Sequence, residues 1–288
     1  MVLNAHGIVA SFELAFYTLL LIPTVLNVFH FGVRQHTGWL FMVLFSLVKM
    51  TGAALFISTL TSSKTPSIGL QVAMSIMYQV ALGPLLSATL SFFNGATPTT
   101  PPSTNRRRGS IFSNLPRLLR LIHFAIIAAI ALGVIGGINR APTSNGQINA
   151  SKYDSGATYL KVSSVLLLVA LVGIVYGLMR YWSLRTVMSE PQRSILPAIG
   201  AAIPLLLLRV IYSLLSSFNL NTSTSKGHTM AFNIFTGSIA AYIVLAMLPQ
   251  IGVVVLYSVA GFVARLKSGK SVEVGAADGS NGKFESHV

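Results

Sequence analysis

Three charged side chains stand inside long apolar stretches of the sequence: Glu13, Lys49 and Arg209. A charge within the hydrocarbon region of a bilayer costs about 2.5–3.5 kcal/mol, so it normally faces an opposite charge, a polar partner or water. A carboxylate, an amine and a guanidinium at such depth can form ion pairs or bind the polar group of a ligand. Together with Tyr212, which closely follows Arg209, they are the candidate site residues.

The composition indicates the element type that must position these charges. The chain is 53% hydrophobic and only 9% charged, and its mean hydropathy is +0.71, which is typical of a membrane protein. Apolar runs long enough to cross a bilayer as helices, about 20 residues each, lie at 8–28, 39–60, 68–93, 118–138, 159–182, 195–218 and 230–263. The sequence therefore predicts an all-α, polytopic bundle of seven transmembrane helices within residues 1–266.

The last run is overlong, and two polar segments flank the predicted bundle. We expect the spanning part of the last run at 237–259, with a tilt or bend near Pro249. The connection 94–116 is rich in Pro, Thr and Ser, and the tail 267–288 is rich in Gly, Ser and Ala. Such compositions lack the apolar side chains that a packed core needs, so both segments are predicted to be disordered and cytosolic.

Basic residues predict the orientation of the bundle. Most Lys and Arg fall on one alternate set of connections, which includes 94–116 and the tail, and few fall on the other set. Because Lys and Arg accumulate on the cytoplasmic side, the amino terminus is predicted outside and the carboxyl terminus in the cytosol. The net charge of +14 thus sets orientation, and we expect no nucleic-acid partner.

Three residues are candidate modification sites. Asn149 and Asn221 begin N-x-S/T sequences in connections that the charge pattern places outside, where glycosylation occurs. Ser110 follows three arginines in the cytosolic connection, a spacing typical of basic-directed kinase sites. Phosphorylation there would reduce the positive charge beside anionic lipid. The alternative is that these arginines only set orientation.

Depth alone leaves the pairing of the buried charges open. Glu13 lies about five residues, and Arg209 about nine, from the predicted outer ends of their helices, so both lie in the outer half and can meet. Lys49 is deeper and either competes for Glu13 or is solvated in a cavity. Such a pair is either structural or lines a ligand site. The polar residues at similar depth, among them Gln79, Gln250 and Tyr242, have the same two explanations.

Several classes of chemistry lack the residues they require. The chain has no cysteine, which excludes disulfides and thiolate metal sites. No aspartate lies in any apolar run and His123 is the one clearly intramembrane histidine, which disfavours a metal-dependent hydrolase. The last run has no lysine for a retinal Schiff base. We therefore expect neither an enzyme nor a cofactor.

Several short motifs lie along nearly the whole chain. They are Gly38-Trp39, Lys49 followed by Gly52-Ala53-Ala54, Gly83-Pro84-Leu85-Leu86, Arg209-Val210-Ile211-Tyr212 and Pro249. In these motifs the chain resembles a family of fungal seven-helix membrane proteins, a domain of unknown function (DUF 7702), which is distantly similar to RTA-like lipid-translocating exporter proteins. The resemblance implies a seven-helix fold and a fungal source.

Three functional hypotheses follow. The first is binding or translocation of an amphiphile or lipid in a cavity of the outer half, lined by Glu13, Lys49, Arg209 and Tyr212. The second is a receptor or sensor that signals through the basic cytosolic connection, and the third is a structural membrane protein without a ligand. All three imply membrane lipids as partners and synthesis in the secretory pathway, with the plasma membrane or an endomembrane as destination.

Overall fold

A computed structural model describes residues 5–31, 37–61, 68–95, 106–140, 149–182, 190–219 and 238–281. These residues form nine α-helices and one π-helical turn. The helices are α1 Ala5–Phe31, α2 Thr37–Thr61, α3 Ile68–Val80, α4 Leu82–Gly95, α5 Arg106–Asn139, α6 Ala150–Trp182, α7 Glu190–Asn219, α8 Ile239–Tyr242 and α9 Leu248–Asn281, and the π-turn is Ile243–Met247.

Within these ranges, seven segments are long and apolar enough to cross a membrane. α3 and α4 together form the third segment, and α8, the π-turn and α9 together form the seventh. No strand occurs in the described part of the chain. The predicted all-α bundle of seven transmembrane helices is therefore confirmed, whereas its orientation stays a prediction.

The helices extend further into the polar segments than the sequence predicts. α6 begins at Ala150 instead of residue 159, α5 begins at Arg106 within the connection predicted to be disordered, and α9 continues to Asn281. Extending a formed helix costs far less than starting one, so apolar spans propagate into their polar flanks. Residues 96–105, 230–237 and 282–288 of the predicted segments lie outside the described residues.

The third span breaks between Val80 and Leu82. Pro84 has no N–H for a helical hydrogen bond, and its ring clashes with the carbonyl four residues earlier, that of Val80. The second half of this span, α4, lies at the centre of the bundle, because eleven of its 14 residues are buried. Gly83 makes this possible, since a Cβ there would lie 2.3 Å from the Ile130 side chain of α5.

The seventh span contains a π-turn just before Pro249. The Leu248 N–H donates to the carbonyl of Ile243, five residues earlier, so the turn holds one more residue than an α-turn. In a regular α-helix, positions four apart drift by about 40° per step. The wider turn absorbs this drift, and Tyr242, Ala246 and Gln250 all face the core. A π-turn thus precedes Pro249, and the predicted tilt or bend there stays a prediction.

Glycines bring α5 and α6 into backbone contact. A Cβ at Gly136 would lie 2.9 Å from the carbonyl oxygen of Gly156, and a Cβ at Gly156 would lie 2.8 Å from that of Gly136. α1 packs chiefly on α2, and α7 on α9. This packing brings together the helices that carry the candidate site.

Candidate functional site

Glu13 and Lys49 form an ion pair in the interior of the bundle. The Lys49 ammonium lies 3.1 Å from Glu13 Oε1, and the two side chains are 2% and 0% exposed. α1 and α2 supply one charge each. Of the two partners that the sequence left open for Glu13, the structure selects Lys49.

Two tyrosines complete the surroundings of the Glu13 carboxylate. The Tyr242 hydroxyl donates to Oε1 at 2.7 Å and the Tyr78 hydroxyl donates to Oε2 at 3.2 Å. Lys49 also lies 4.8 Å from the centroid of the Tyr78 ring and 3.5 Å from the Tyr242 hydroxyl. A buried ion pair is favourable only when its remaining lone pairs are hydrogen-bonded, and these hydroxyls meet that requirement.

Arg209 lies in the same cluster but does not pair with Glu13. Its guanidinium donates to the main-chain carbonyl of Tyr78 at 3.4 Å and lies 5.6 Å from the centroid of the Tyr212 ring. No carboxylate in the described ranges lies within 4 Å of Arg209. The side chain is 4% exposed, and its Nε has no hydrogen-bond partner among the described residues.

The break in the third span explains the bond that Arg209 makes. Tyr78 lies in the last turn of α3, where carbonyl groups lack helical donors and the helix end carries partial negative charge. A cation at a helix end gains about 0.3–1 kcal/mol, and one over an aromatic face about 0.5–2 kcal/mol. These two contributions offset part of the cost of burying Arg209 in a membrane, about 2.5–3.5 kcal/mol.

Tyr78 and Tyr242 link the four sequence-predicted site residues into one cluster. Tyr78 bonds Glu13 through its hydroxyl and Arg209 through its carbonyl. The Tyr242 ring lies 6.2 Å from that of Tyr78 and 6.3 Å from that of Tyr212, measured between centroids. Neither linking tyrosine was predicted as a site residue, although Tyr242 stood out as a polar group at spanning depth.

A narrow cleft reaches the Glu13 carboxylate along the first turns of α1. Its volume is about 20 Å³, which is room for about one water molecule. Its walls are mainly apolar, and Glu13 and the two tyrosine hydroxyls supply polar groups. The lining residues are His6, Val9, Ala10, Glu13, Phe56, Tyr78 and Tyr242.

Several further buried polar atoms have no hydrogen-bond partner among the described residues, including atoms of Gln79, Gln250 and Tyr17. Gln250 is 0% exposed, and neither its amide nitrogen nor its amide oxygen is hydrogen-bonded. Tyr17 is also 0% exposed, and its hydroxyl has no hydrogen-bond partner among the described residues. Interhelical hydrogen bonding, which the sequence suggested for polar residues at this depth, therefore does not account for Gln250.

The candidate modification sites lie away from the cluster. Asn149 is exposed at the start of α6, where its side-chain oxygen accepts from the Lys152 N–H at 3.4 Å. Asn221 lies outside the described residues. Ser110 lies in the first turns of α5, but its side chain is not within the described part of the structure. The ranges that are described hold no group of three or more His, Cys, Asp or Glu suited to a metal ion.

The fold and the cluster define a class: a multi-pass integral membrane protein whose seven apolar helices enclose an ion pair, a further arginine and several tyrosines. The chain belongs to the family described as Domain of unknown function (DUF7702), whose family model matches residues 3–267. The match covers all seven spans and confirms the resemblance seen in the short motifs. Neither a curated protein nor a solved structure matches the chain.

Proposed function

We propose that this protein binds an amphiphile in the outer half of the bundle, with the polar group of the ligand at Glu13, and that it moves the ligand through this site. The observation that carries the proposal is a fully buried carboxylate that nevertheless borders a cleft. An ion pair that serves stability alone needs no cleft beside it.

The chemistry of the cleft supports an amphiphilic ligand. Small-molecule sites are typically apolar, with a few polar groups that fix the orientation of the ligand. Here Val9, Ala10 and Phe56 supply apolar surface, while Glu13 and the tyrosine hydroxyls, whose O–H groups are donated to Glu13, can accept hydrogen bonds from a ligand. An amphiphile presents both kinds of surface at once.

The size of the cleft requires α1 to move when a ligand binds. A volume of about 20 Å³ accommodates a water-sized group and not a larger head group. Among the described spans, α1 has the smallest buried fraction in its most apolar stretch, 22%. Fewer apolar contacts therefore oppose a displacement of α1 than of the other spans. Separation of α1 from α8 would widen the cleft directly beside Glu13.

Native mass spectrometry in mild detergent tests the proposal. We compare the wild type, purified from yeast membranes, with the double variant Glu13→Gln/Lys49→Met, which removes both charges together. Asn149→Gln is the matched control, because Asn149 is exposed and lies on another helix. The proposal expects a stoichiometric lipid-sized adduct on the wild type and the control that is lost from the double variant. Absence of the adduct from the wild type, or its retention by the double variant, would refute binding at Glu13.

One observation favours the receptor alternative. The three arginines that begin α5 are continuous with the fourth transmembrane span, so a helix movement in the membrane would reach the basic cytosolic segment directly. In that case a partner protein would be lost from the complex when residues 97–113 are deleted, while the lipid adduct would be unaffected.

The proposal includes several further expectations. The amino terminus lies outside and the carboxyl terminus in the cytosol, and the protein travels through the secretory pathway to the plasma membrane. It has no catalytic activity and takes no cofactor. We also expect a fungal source and a distant similarity to RTA-like lipid-translocating exporters, and that similarity would agree with handling of an amphiphile.

A further inference from the structure

The buried charge cluster carries one uncompensated positive charge. Glu13 and Lys49 neutralise each other, and proton transfer between them would leave their total charge unchanged. Arg209 remains, and an arginine side chain stays protonated in proteins. The core of the outer half therefore has a net charge of +1 whichever way the ion pair shares its proton.

Outside the Glu13–Lys49 pair, no acidic side chain in the described ranges is placed to balance Arg209. The sequence has six Asp and Glu in all. Besides Glu13, Asp154 is exposed near the start of α6, and Glu190 begins α7 about 28 Å along the helix from Arg209. The other three, Glu273, Asp278 and Glu285, follow the last span.

Three buried donors near this charge lack partners among the described residues. They are Arg209 Nε, the Gln250 amide nitrogen and the Tyr17 hydroxyl, in side chains that are at most 4% exposed. The Gln250 amide oxygen also lacks one. Buried polar groups in folded proteins are nearly always hydrogen-bonded. A set of unpartnered N–H and O–H groups beside an unbalanced cation is suited to an anion.

The helix register places Arg209 and Gln250 at nearly the same depth. A Cβ on Gly252 would lie 2.8 Å from the Leu205 side chain, which fixes the register of α9 against α7. Arg209 is one turn after Leu205, and Gln250 is about half a turn before Gly252. Side chains lean toward the start of their own helix, so on these antiparallel helices the two side chains lean toward a common level.

Tyr17 lies in the same region of the core, next to Lys49. The Lys49 ammonium is 5.7 Å from the centroid of the Tyr17 ring and 4.8 Å from that of the Tyr78 ring. The carbonyl of Tyr78 in turn binds Arg209. α1, α7 and α9 thus each contribute one unpartnered donor to this region of the core.

We propose that the core binds an anion at Arg209, with Gln250 and Tyr17 donating further hydrogen bonds to it. The ligand chemistry is a compact group that carries a negative charge and accepts N–H and O–H donors. It is either a small inorganic anion or the carboxylate of an amphiphile. This site is distinct from the cleft at Glu13, and its occupancy does not depend on the function proposed for that cleft.

Anion-dependent thermal stability of the purified full chain tests this site. Chloride replaces gluconate at constant ionic strength in one titration, and decanoate is added below its micellar concentration in the other. An anion that binds the folded state raises the unfolding temperature with concentration. A response to chloride identifies an inorganic anion, a response to decanoate alone identifies an acidic head group, and no response to either overturns the proposal.

Gln250→Glu is the decisive variant, because it supplies an internal carboxylate at the level of Arg209. We expect it to unfold at a higher temperature than the wild type in gluconate and to lose the anion response. An anion response equal to that of the wild type would show a general salt effect and refute the site. Arg209→Gln should also lose the response if it folds.

The double variant Glu13→Gln/Lys49→Met separates this site from the proposed function. It keeps the net charge of +1 and therefore should keep the anion response, even though it should lose the lipid adduct. If the double variant keeps the anion response and neither it nor the wild type carries a lipid adduct, only the proposed ligand binding in the cleft at Glu13 is refuted. A lost response in this variant would tie the anion to the ion pair and refute a separate site at Arg209.

Discussion

Removing one partner of the Glu13–Lys49 pair should cost more than removing both. Glu13→Gln leaves the Lys49 ammonium, 2% exposed, without a counter-charge. Loss of one partner from a buried pair costs about 3–5 kcal/mol, whereas replacing both partners is often close to neutral. The double variant Glu13→Gln/Lys49→Met should therefore be more stable than Glu13→Gln alone.

The two single variants should differ in cost. After Lys49→Met, the Glu13 carboxylate keeps the Tyr242 and Tyr78 hydroxyls as donors at 2.7 and 3.2 Å. Hydrogen bonds to a charged group contribute about 1.5–3 kcal/mol each, so this carboxylate remains well stabilised. Lys49 in Glu13→Gln loses its carboxylate and still lies near the Arg209 charge. We expect about 2–3 kcal/mol for Lys49→Met and about 3–5 kcal/mol for Glu13→Gln, with a coupling of at least about 2 kcal/mol.

Equilibrium unfolding in mixed micelles, followed by circular dichroism, measures all four forms. Lys161→Met is the matched control, since this half-buried lysine lies 5.5 Å over the Phe218 ring and has no carboxylate within 4 Å in the described ranges. It should cost less than about 1 kcal/mol. If the costs of the two single variants add up to that of the double variant, the pair does not stabilise the fold as argued.

Three further variants check other contacts. Tyr242→Phe removes a hydrogen-bond donor to the buried Glu13 carboxylate and should lower the free energy of unfolding by about 1.5–3 kcal/mol. Its control, Tyr257→Phe, loses a neutral hydrogen bond to a threonine hydroxyl at 2.9 Å and should cost about 1 kcal/mol. Equal costs in the same unfolding assay would contradict a charged acceptor. Gly156→Ala places a Cβ 2.8 Å from a facing carbonyl oxygen and should lower the free energy of unfolding by about 1–3 kcal/mol. Its control, Gly69→Ala, has open space around the new Cβ and should stay within about 0.5 kcal/mol of the wild type. If Gly156→Ala is as stable as the wild type, the backbone contact between α5 and α6 is contradicted. Asn149→Gln should reduce the gel shift that glycosidase produces on the wild type, leaving only the part that a glycan on Asn221 contributes, and unchanged mobility of both forms would remove the support for an outside location.

The sequence predicted the spans well and their ends poorly, for a physical reason. A helix of about 20 apolar residues is as long as the hydrocarbon core of a bilayer is thick, so the number of spans can be counted in the sequence. Helix ends depend on caps and on propagation into polar residues, as at Ala150, where Asn149 caps α6. Hydropathy is insensitive to both effects, which is why α5, α6 and α9 are longer than predicted.

The cost of buried charge singled out the charged residues of the cluster, but it did not predict which of them pair. Glu13, Lys49 and Arg209 stand out because few side chains are so unfavourable in hydrocarbon. Which charges meet depends on the rotation of each helix about its axis, and depth does not report rotation. The π-turn turns Tyr242 toward Glu13, and the break before Pro84 leaves a carbonyl for Arg209. Neither irregularity is visible in an apolar pattern.

The ion pair also bears on how the chain enters the membrane during synthesis. Glu13 and Lys49 are separated by 36 residues, the length of one helical hairpin. Because amino-terminal segments emerge first from the ribosome, α1 and α2 can enter the bilayer together with their charges already matched. Arg209 follows Tyr78 by 131 residues, so the carbonyl that receives it is made long before it. Tyr242 comes last, which makes the seventh span the one that completes the cluster.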